Sequence, residues 1–77
     1  MFTATFHTHF GATAFLRELT KKGKTARMAP VPRCLSASCG VCVIFYDKEG
    51  LDFSKYTDLD GVYLEENGSY TLIHKEE

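Results

Sequence analysis

Three cysteines lie within nine consecutive positions of a chain that contains no other cysteine. They are Cys34, Cys39 and Cys42, in the stretch RCLSASCGVCVIF at residues 33–45. Clustered thiols can bind a metal, exchange disulfides or act as nucleophiles, and the thiolate is the reactive form in each case. The spacing of the three thiols, and the elements that carry them, decide between these chemistries.

Cys39 has the surroundings that a reactive thiol requires. It follows a serine-containing loop, six residues after Arg33, and a nearby cation lowers the pKa of a thiol. Gly40 leaves the backbone beside the sulfur unobstructed. These features predict a nucleophilic Cys39, and the alternative is a small apolar residue at the start of a strand.

The other two cysteines receive different predictions. If VCVIFY, residues 41–46, forms a strand, Cys42 is expected in the core or in an interface. Along such a strand, Cys39 and Cys42 would be about 10 Å apart, which exceeds the limit of about 7 Å for the Cα atoms of a disulfide. Cys34 lies on the loop, where it either reaches Cys39 or is an inert surface residue.

A metal site is a further possibility. The three cysteines have the Cys-x4-Cys-x2-Cys spacing that opens a plant-type [2Fe–2S] motif, which needs a fourth cysteine that this chain lacks. His74 is the comparable candidate for that fourth ligand. Together with one histidine, the three cysteines could also make a Cys₃His zinc site. Because the third cysteine would have to point from within an apolar strand, we predict neither a metal nor another cofactor.

Length and composition limit the kind of site the chain can hold. Its 77 residues make a single domain, 1–77, so the site is expected on the surface rather than in a large cavity. A net charge of −1, with acids and bases interspersed, argues against nucleic-acid binding. The sequence has no apolar stretch of membrane-spanning length and no signal-peptide pattern, which indicates a cytoplasmic protein with reduced thiols.

The hydrophobic pattern predicts the elements that position these side chains. A helix is expected over 8–22, ended by Gly23, and a short second helix at about 52–58. Asn67-Gly68 is a strong hairpin turn. Five segments have the pattern of strands: 2–7, 25–29, 41–46, 61–66 and 69–74.

The order β-α-β-β-(α)-β-β predicts an α/β (α+β) fold, a two-layer ferredoxin-like sandwich with a largely antiparallel sheet. A βαβ crossover makes the first two strands parallel, and the short link after them makes the third antiparallel. The ends of strands one and two and the starts of helix one and strand three should then share one edge, where the helix dipole would also favour a thiolate. That edge carries His7, Thr8, His9, Arg33, Ser36, Ser38 and Cys39.

The third strand also bears on assembly, since it is apolar on both faces. A two-layer domain covers only one face of its sheet with helices. We therefore expect Ile44 and Tyr46 to be covered by the C-terminal segment or by a second copy of the chain, and we predict a homodimer.

The first part of the chain resembles a family of small bacterial proteins known as selenium/sulfur carrier-like proteins. The resemblance lies in a strand ending at Phe6 to Thr8, a helix, a Pro-x-Pro-Arg segment at 30–33, and a Ser-x-x-Cys-Gly loop at 36–40. It covers residues 2–46. Cys34 and Cys42 are not part of the family pattern, so the resemblance assigns them no role.

The resemblance implies a carrier that accepts sulfane sulfur or selenium as a persulfide on Cys39 and relays it to an acceptor protein. A cysteine desulfurase-type protein would be the donor, and the chain would act as a shuttle rather than a multiple-turnover enzyme. The alternatives are a noncatalytic interaction module with buried cysteines, or a small metal or redox protein. Beside Cys39, we expect roles for Arg33 and Cys34 in reactivity and release, and for His7, His9, Ser36, Ser38 and Gly40 in binding.

Overall fold

One antiparallel sheet of five strands, with an α-helix packed on one face, forms the framework of the protein. It is described here by a computed structural model for residues 1–35 and 40–75. The mixed α+β class predicted from the sequence is confirmed. The elements are β1 (Phe2–Phe6), α1 (His9–Lys21), β2 (Ala26–Pro30), β3 (Val41–Phe45), a 3₁₀ helix (Phe53–Lys55), β4 (Leu59–Glu66) and β5 (Ser69–Lys75).

The strand order in the sheet is β2-β3-β1-β4-β5, and every neighbouring pair is antiparallel. β1 and β2 are consequently parallel to each other with β3 between them, as the predicted crossover requires. A ferredoxin-like sandwich calls for a second helix between β3 and β4. The described residues have only the 3₁₀ helix of three residues in that connection, so the predicted helix at 52–58 is reduced to one turn.

Phe15 of α1 is the centre of the core between the helix and the sheet. Its ring centroid lies 5.3 Å from that of Phe6, 5.5 Å from Phe45 and 4.9 Å from Tyr56. Edge-to-face and tilted ring pairs of this kind stabilise a core beyond the area that they bury. The remaining buried members of this cluster are Ala4, Ala12, Leu19, Val43, Leu59 and Val62.

Both ends of α1 are capped by their own residues. The Thr8 hydroxyl accepts a hydrogen bond from the Gly11 N–H at 3.1 Å, as an N-cap residue does. At the other end the Lys24 N–H donates to the Leu19 carbonyl at 2.9 Å, and the Gly23 N–H donates to the Thr20 carbonyl at 3.0 Å, which is a Schellman motif. The predicted helix therefore has the expected ends.

The centre of the sheet face that points away from α1 is buried as well. Directly paired residues share a face, and Thr3 pairs with Ile44 while Thr5 pairs with Cys42. All of them are buried: the two threonines and the cysteine have no exposed area and Ile44 has 8%. Ile44 is therefore covered within one chain, whereas Tyr46, for which the C-terminal segment or a second copy was the expected cover, remains 52% exposed. β5 pairs with β4 and extends the sheet, and its Leu72 side chain lies close to Gly61, which pairs with Thr5 on this face.

Candidate functional site

The strand register brings one end of several strands together. Thr5 near the end of β1 pairs with Cys42 near the start of β3, and Pro30 at the end of β2 pairs with Val41. β4 starts at the same place, where Leu59 pairs with Phe6. We call this side of the sheet, from which residues 7–8 and the 31–40 loop leave, the loop edge. It is the edge at which the sequence places the candidate site.

Hydrogen bonds join the two described ends of segment 31–40 and form a turn near its start. The Val31 N–H donates to the Gly40 carbonyl at 3.2 Å, and the Leu35 N–H donates to the Pro32 carbonyl at 3.0 Å. Arg33 and Cys34 lie in the turn that the second bond closes, and both are exposed. Gly40 has a φ of 76°, a conformation that favours glycine. The predicted site residues Ser36, Ser38 and Cys39 lie outside the described residues.

The two predicted histidines stand at the loop edge and are exposed. His7 follows β1, and its backbone N–H donates to the Asp58 carbonyl at 2.9 Å. The β1–β3 register, extended two residues past its last pair, leads to His7 and Gly40. His9 begins α1, and its Nδ1 lies 3.5 Å from the Thr13 hydroxyl. Both imidazoles are thus accessible to solvent at the loop edge.

Asp58 is a residue of this edge that the sequence analysis missed. One carboxylate oxygen, Oδ2, accepts hydrogen bonds from the Thr8 N–H at 3.0 Å and from the Thr8 hydroxyl at 2.6 Å. A negative charge here interacts favourably with the positive end of the α1 dipole. The dipole is therefore compensated by Asp58, and less of it is left to stabilise a thiolate than the sequence suggested.

Gly11 makes this approach of the carboxylate possible. A Cβ atom on Gly11 would lie 1.9 Å from the Asp58 Oδ2, far inside van der Waals contact. Glycine is otherwise unfavourable inside a helix, so a glycine in a first turn indicates a close approach by another group. Gly11 is thus the feature of the sequence that indicates a close contact with another side chain at the first turn of α1.

Tyr56 holds the segment before Asp58 against the helix. Its hydroxyl donates a short hydrogen bond to the Glu18 carboxylate, and its ring packs edge-on against Phe15. Partial burial, followed by this hydrogen bond, raises the pKa of the Tyr56 phenol. Asp58 and Tyr56 together attach the connection between β3 and β4 to two places on α1.

Cys42 is buried, as predicted, on the sheet face opposite the helix. It has no exposed area, and its sulfur lies 3.6 Å from the Pro30 carbonyl oxygen. His74 pairs with Val62, a member of the core on the helix side, so Cys42 and His74 lie on opposite faces of the sheet. They cannot share a zinc ion. Within residues 1–35 and 40–75, no three His, Cys, Asp or Glu side chains are arranged to hold a metal ion.

Tyr70 lies on the sheet face opposite the helix. It pairs with Glu65, on the face that carries Cys42. Burial raises the pKa of its phenol, with further contributions from the Glu65 carboxylate and then from the thiols of Cys34 and Cys42.

Comparison with known proteins gives one match. Residues 2–58 match the family model described as "Putative Se/S carrier protein-like". No curated protein and no solved structure matches the chain at a significant level. In the part of the chain that the structure describes, no helix is long and apolar enough to cross a membrane. The match extends over more than half of the sequence, and the chain therefore belongs to the Se/S carrier protein-like family.

Proposed function

We propose that this protein carries sulfane sulfur, or selenium, on Cys39 between a donor protein and an acceptor protein. Membership of the Se/S carrier protein-like family is the observation that carries the proposal. The burial of Cys42, and the position of Cys34 outside the family pattern, support the choice of thiol. Cys42 is buried in the sheet, and Cys34 is exposed but has no place in the family pattern.

Loading is a transfer between two thiols. The Cys39 thiolate attacks the terminal sulfur of a persulfide on the donor, a sulfur–sulfur bond forms at Cys39, and the sulfur–sulfur bond of the donor breaks. The donor leaves as a thiolate, and the proton of the persulfide stays with the transferred sulfur. A cysteine desulfurase-type protein supplies such a persulfide, and no oxidant is needed. Delivery to the acceptor repeats the same exchange in the opposite direction.

The described residues of the loop edge have chemistry suited to this step. Arg33 is an exposed cation in the turn of the loop, where it favours the thiolate form of a nearby cysteine. His7 and His9 are exposed imidazoles that can tune the thiolate or return a proton. Gly40 keeps the backbone beside Cys39 free of a side chain. Ser36 and Ser38 would donate hydrogen bonds to the transferred anion.

Mass spectrometry tests the proposal directly. The reduced protein is incubated with a cysteine desulfurase and cysteine, and the expected result is the gain of one sulfur atom, which peptide mapping locates on Cys39. Cys39→Ser should abolish the gain, whereas Cys42→Ser serves as the matched control and should retain it. Sulfur found on Cys34, or an unchanged gain in Cys39→Ser, would contradict the proposal.

A further inference from the structure

Phe10 is a large apolar side chain that the fold leaves in solvent. It is 82% exposed, more than Tyr46, Leu72 or Ile73. Single exposed apolar residues are common on protein surfaces and need no explanation. Phe10, however, is in the first turn of α1, directly after His9, so it projects beside the loop edge.

Phe10 stands between two surface grooves. One groove, of about 550 Å³, runs along α1 and is lined on its far side by Arg17 and Lys21. The other, of about 410 Å³, lies between α1 and the segment that contains Lys55 and Tyr56. Phe10 and Ala14 line both grooves. An exposed aromatic side chain with a groove on each side can enter a pocket of a partner and anchor an interface.

The charged side chains that line these two grooves are three cations, Arg17, Lys21 and Lys55, and two carboxylates, which gives a net positive charge. Between described residues, Lys24 and Asp47 form the one ion pair of a lysine or arginine. The two carboxylates are less accessible than the cations, because Glu18 accepts a hydrogen bond from Tyr56 and Asp58 accepts one from Thr8, and both are partly buried. Exposed cations remain at Arg17, Lys21, Lys22 and Lys55.

Part of this charge has a structural explanation. Lys21 is in the last turn of α1, and Lys22 is its C-cap, where cations interact favourably with the helix dipole. Arg17 is a full turn earlier, and Lys55 belongs to a different element. The dipole therefore accounts for the two lysines of α1 but not for the basic surface as a whole.

We propose that Phe10, Arg17, Lys21 and Lys55, which we call the Phe10 face, form the docking surface for the sulfur donor, a protein with an acidic surface. Phe10 enters an apolar pocket on the donor, and the cations contact its carboxylates. This proposal rests on the proposed function, because the surface would bind the protein from which Cys39 takes its sulfur. Because Phe10 directly follows His9 at the start of α1, a donor on the Phe10 face lies beside the loop edge.

Charge decides between the occupants that such a face can have. A second copy of the chain would bring an identical basic face against it about a two-fold axis, and like charges repel. A nucleic acid would meet a chain of net charge −1, without the general positive charge that binding to phosphates requires. An acidic protein complements the face in both respects, and charge complementarity of this kind mainly raises the rate of association.

Two sulfur donors separate docking from chemistry in the test. Persulfidated cysteine desulfurase from the same organism requires docking, whereas glutathione persulfide reaches the thiol without it. The variants are Phe10→Ser and the double variant Arg17→Glu/Lys21→Glu, with Lys48→Glu as the control because Lys48 is an exposed cation outside the face. Circular dichroism verifies that each variant is folded, as expected for exposed positions.

The expected result is a loss of at least about tenfold in the rate of transfer from the desulfurase for both face variants. Lys48→Glu should match the wild type, loading from glutathione persulfide should be unchanged in all variants, and added salt should slow only the desulfurase reaction. Equal desulfurase rates in all variants would overturn the docking proposal and leave the carrier function intact. RNA binding that the face variants abolish, with unchanged sulfur transfer from the desulfurase, would also overturn it, because the face would then bind nucleic acid and not the donor. A wild type that takes sulfur from neither donor would defeat the carrier function itself, and with it the donor role of the face.

Discussion

The cysteines differ in their access to solvent, and this determines their expected reactivity. Cys42 has no exposed area, whereas Cys34 is exposed in a turn. We predict that native Cys39 reacts with iodoacetamide at neutral pH at least about tenfold faster than Cys42, because burial removes access and disfavours the thiolate. Peptide mapping after brief alkylation measures both rates, and preferential labelling of Cys42 would reverse the roles assigned to the two thiols.

The reactivity of Cys39 should depend on Arg33. Asp58 compensates the helix dipole. Among the described residues of the loop, Arg33 is therefore the positive charge that can favour the thiolate of Cys39. Arg33→Ala should slow the alkylation of Cys39 by a factor on the order of a few-fold, since less of the thiol is ionised at neutral pH. Arg27→Ala, which removes an exposed arginine from the neighbouring strand β2, should have no effect.

Tyr56 gives a prediction for alkaline pH. Burial and the hydrogen bond to Glu18 raise its folded pKa above the ordinary value of 10.0. The associated stabilisation is complete below that ordinary value and is lost as the pH rises through the folded pKa. Ultraviolet titration of the phenolate should show a late phase that Tyr56→Phe removes, together with about 1 kcal/mol of stability near neutral pH. Because the pKa of Tyr70 is raised as well, the titrations are made in a Tyr70→Phe background. There Tyr46→Phe should leave the late phase in place, and a late phase that survives in Tyr56→Phe would refute the assignment.

At the scale of elements, the contact between α1 and the segment before β4 can be tested by a double-mutant cycle. Gly11→Ala drives a Cβ atom into the Asp58 carboxylate and should cost about 1–3 kcal/mol. In an Asp58→Ala background the same change should be neutral or stabilise by up to about 1 kcal/mol, since alanine favours helix. Urea unfolding measures each variant. Asp60→Ala, the matched loss of a carboxylate, should not rescue Gly11→Ala, and additive effects of Gly11 and Asp58 would show that the two do not interact.

The 31–40 loop leads to a prediction about release of the cargo. A Cys34 thiolate that attacks the inner sulfur of a Cys39 persulfide forms a Cys34–Cys39 disulfide and expels hydrosulfide. The exposed turn of Cys34 permits such a movement, whereas Cys42 is fixed in β3. The persulfide of Cys34→Ser should therefore persist longer than that of the wild type in the absence of external thiols. Equal rates of decay, followed by mass spectrometry, would make Cys34 a bystander.

Local patterns predicted most of the elements, and contacts between distant residues supplied what they missed. The spacing of apolar residues located α1, and Asn67-Gly68 located the β4–β5 turn, where both residues have positive φ. The pairing of Asp58 with Thr8 joins residues 50 positions apart, and that of Tyr56 with Glu18 joins residues 38 apart. Both contacts start from a turn-rich segment with no hydrophobic period, so no local pattern could reveal them.

At the scale of the whole molecule, the sheet has two unlike edge strands. β2 has five residues and includes Pro30 and the exposed Arg27, features that discourage pairing with another chain. β5 has seven residues and no proline, with Leu72 46% and Ile73 41% exposed. β5 has an irregularity opposite Val62 and Tyr63, but its length and its exposed Leu72 and Ile73 still make it the better template for a further strand. The basis for the predicted homodimer therefore moves from Ile44, which is buried within one chain, to β5.

We predict that two copies pair antiparallel through β5, with Leu72 of each near the two-fold axis, to form a continuous sheet of both molecules. This arrangement brings Lys75 of one copy to the Ser69 end of the other, beside Glu66, so the charges at the two ends are complementary. Light scattering at high concentration should give twice the 8.7 kDa mass of the chain. Leu72→Lys should restore the monomer, because it places a charge in the centre of the interface. Tyr46→Lys, on the sheet face, should remain dimeric, and a monomer that forms with Tyr46→Lys instead would place the interface on that face.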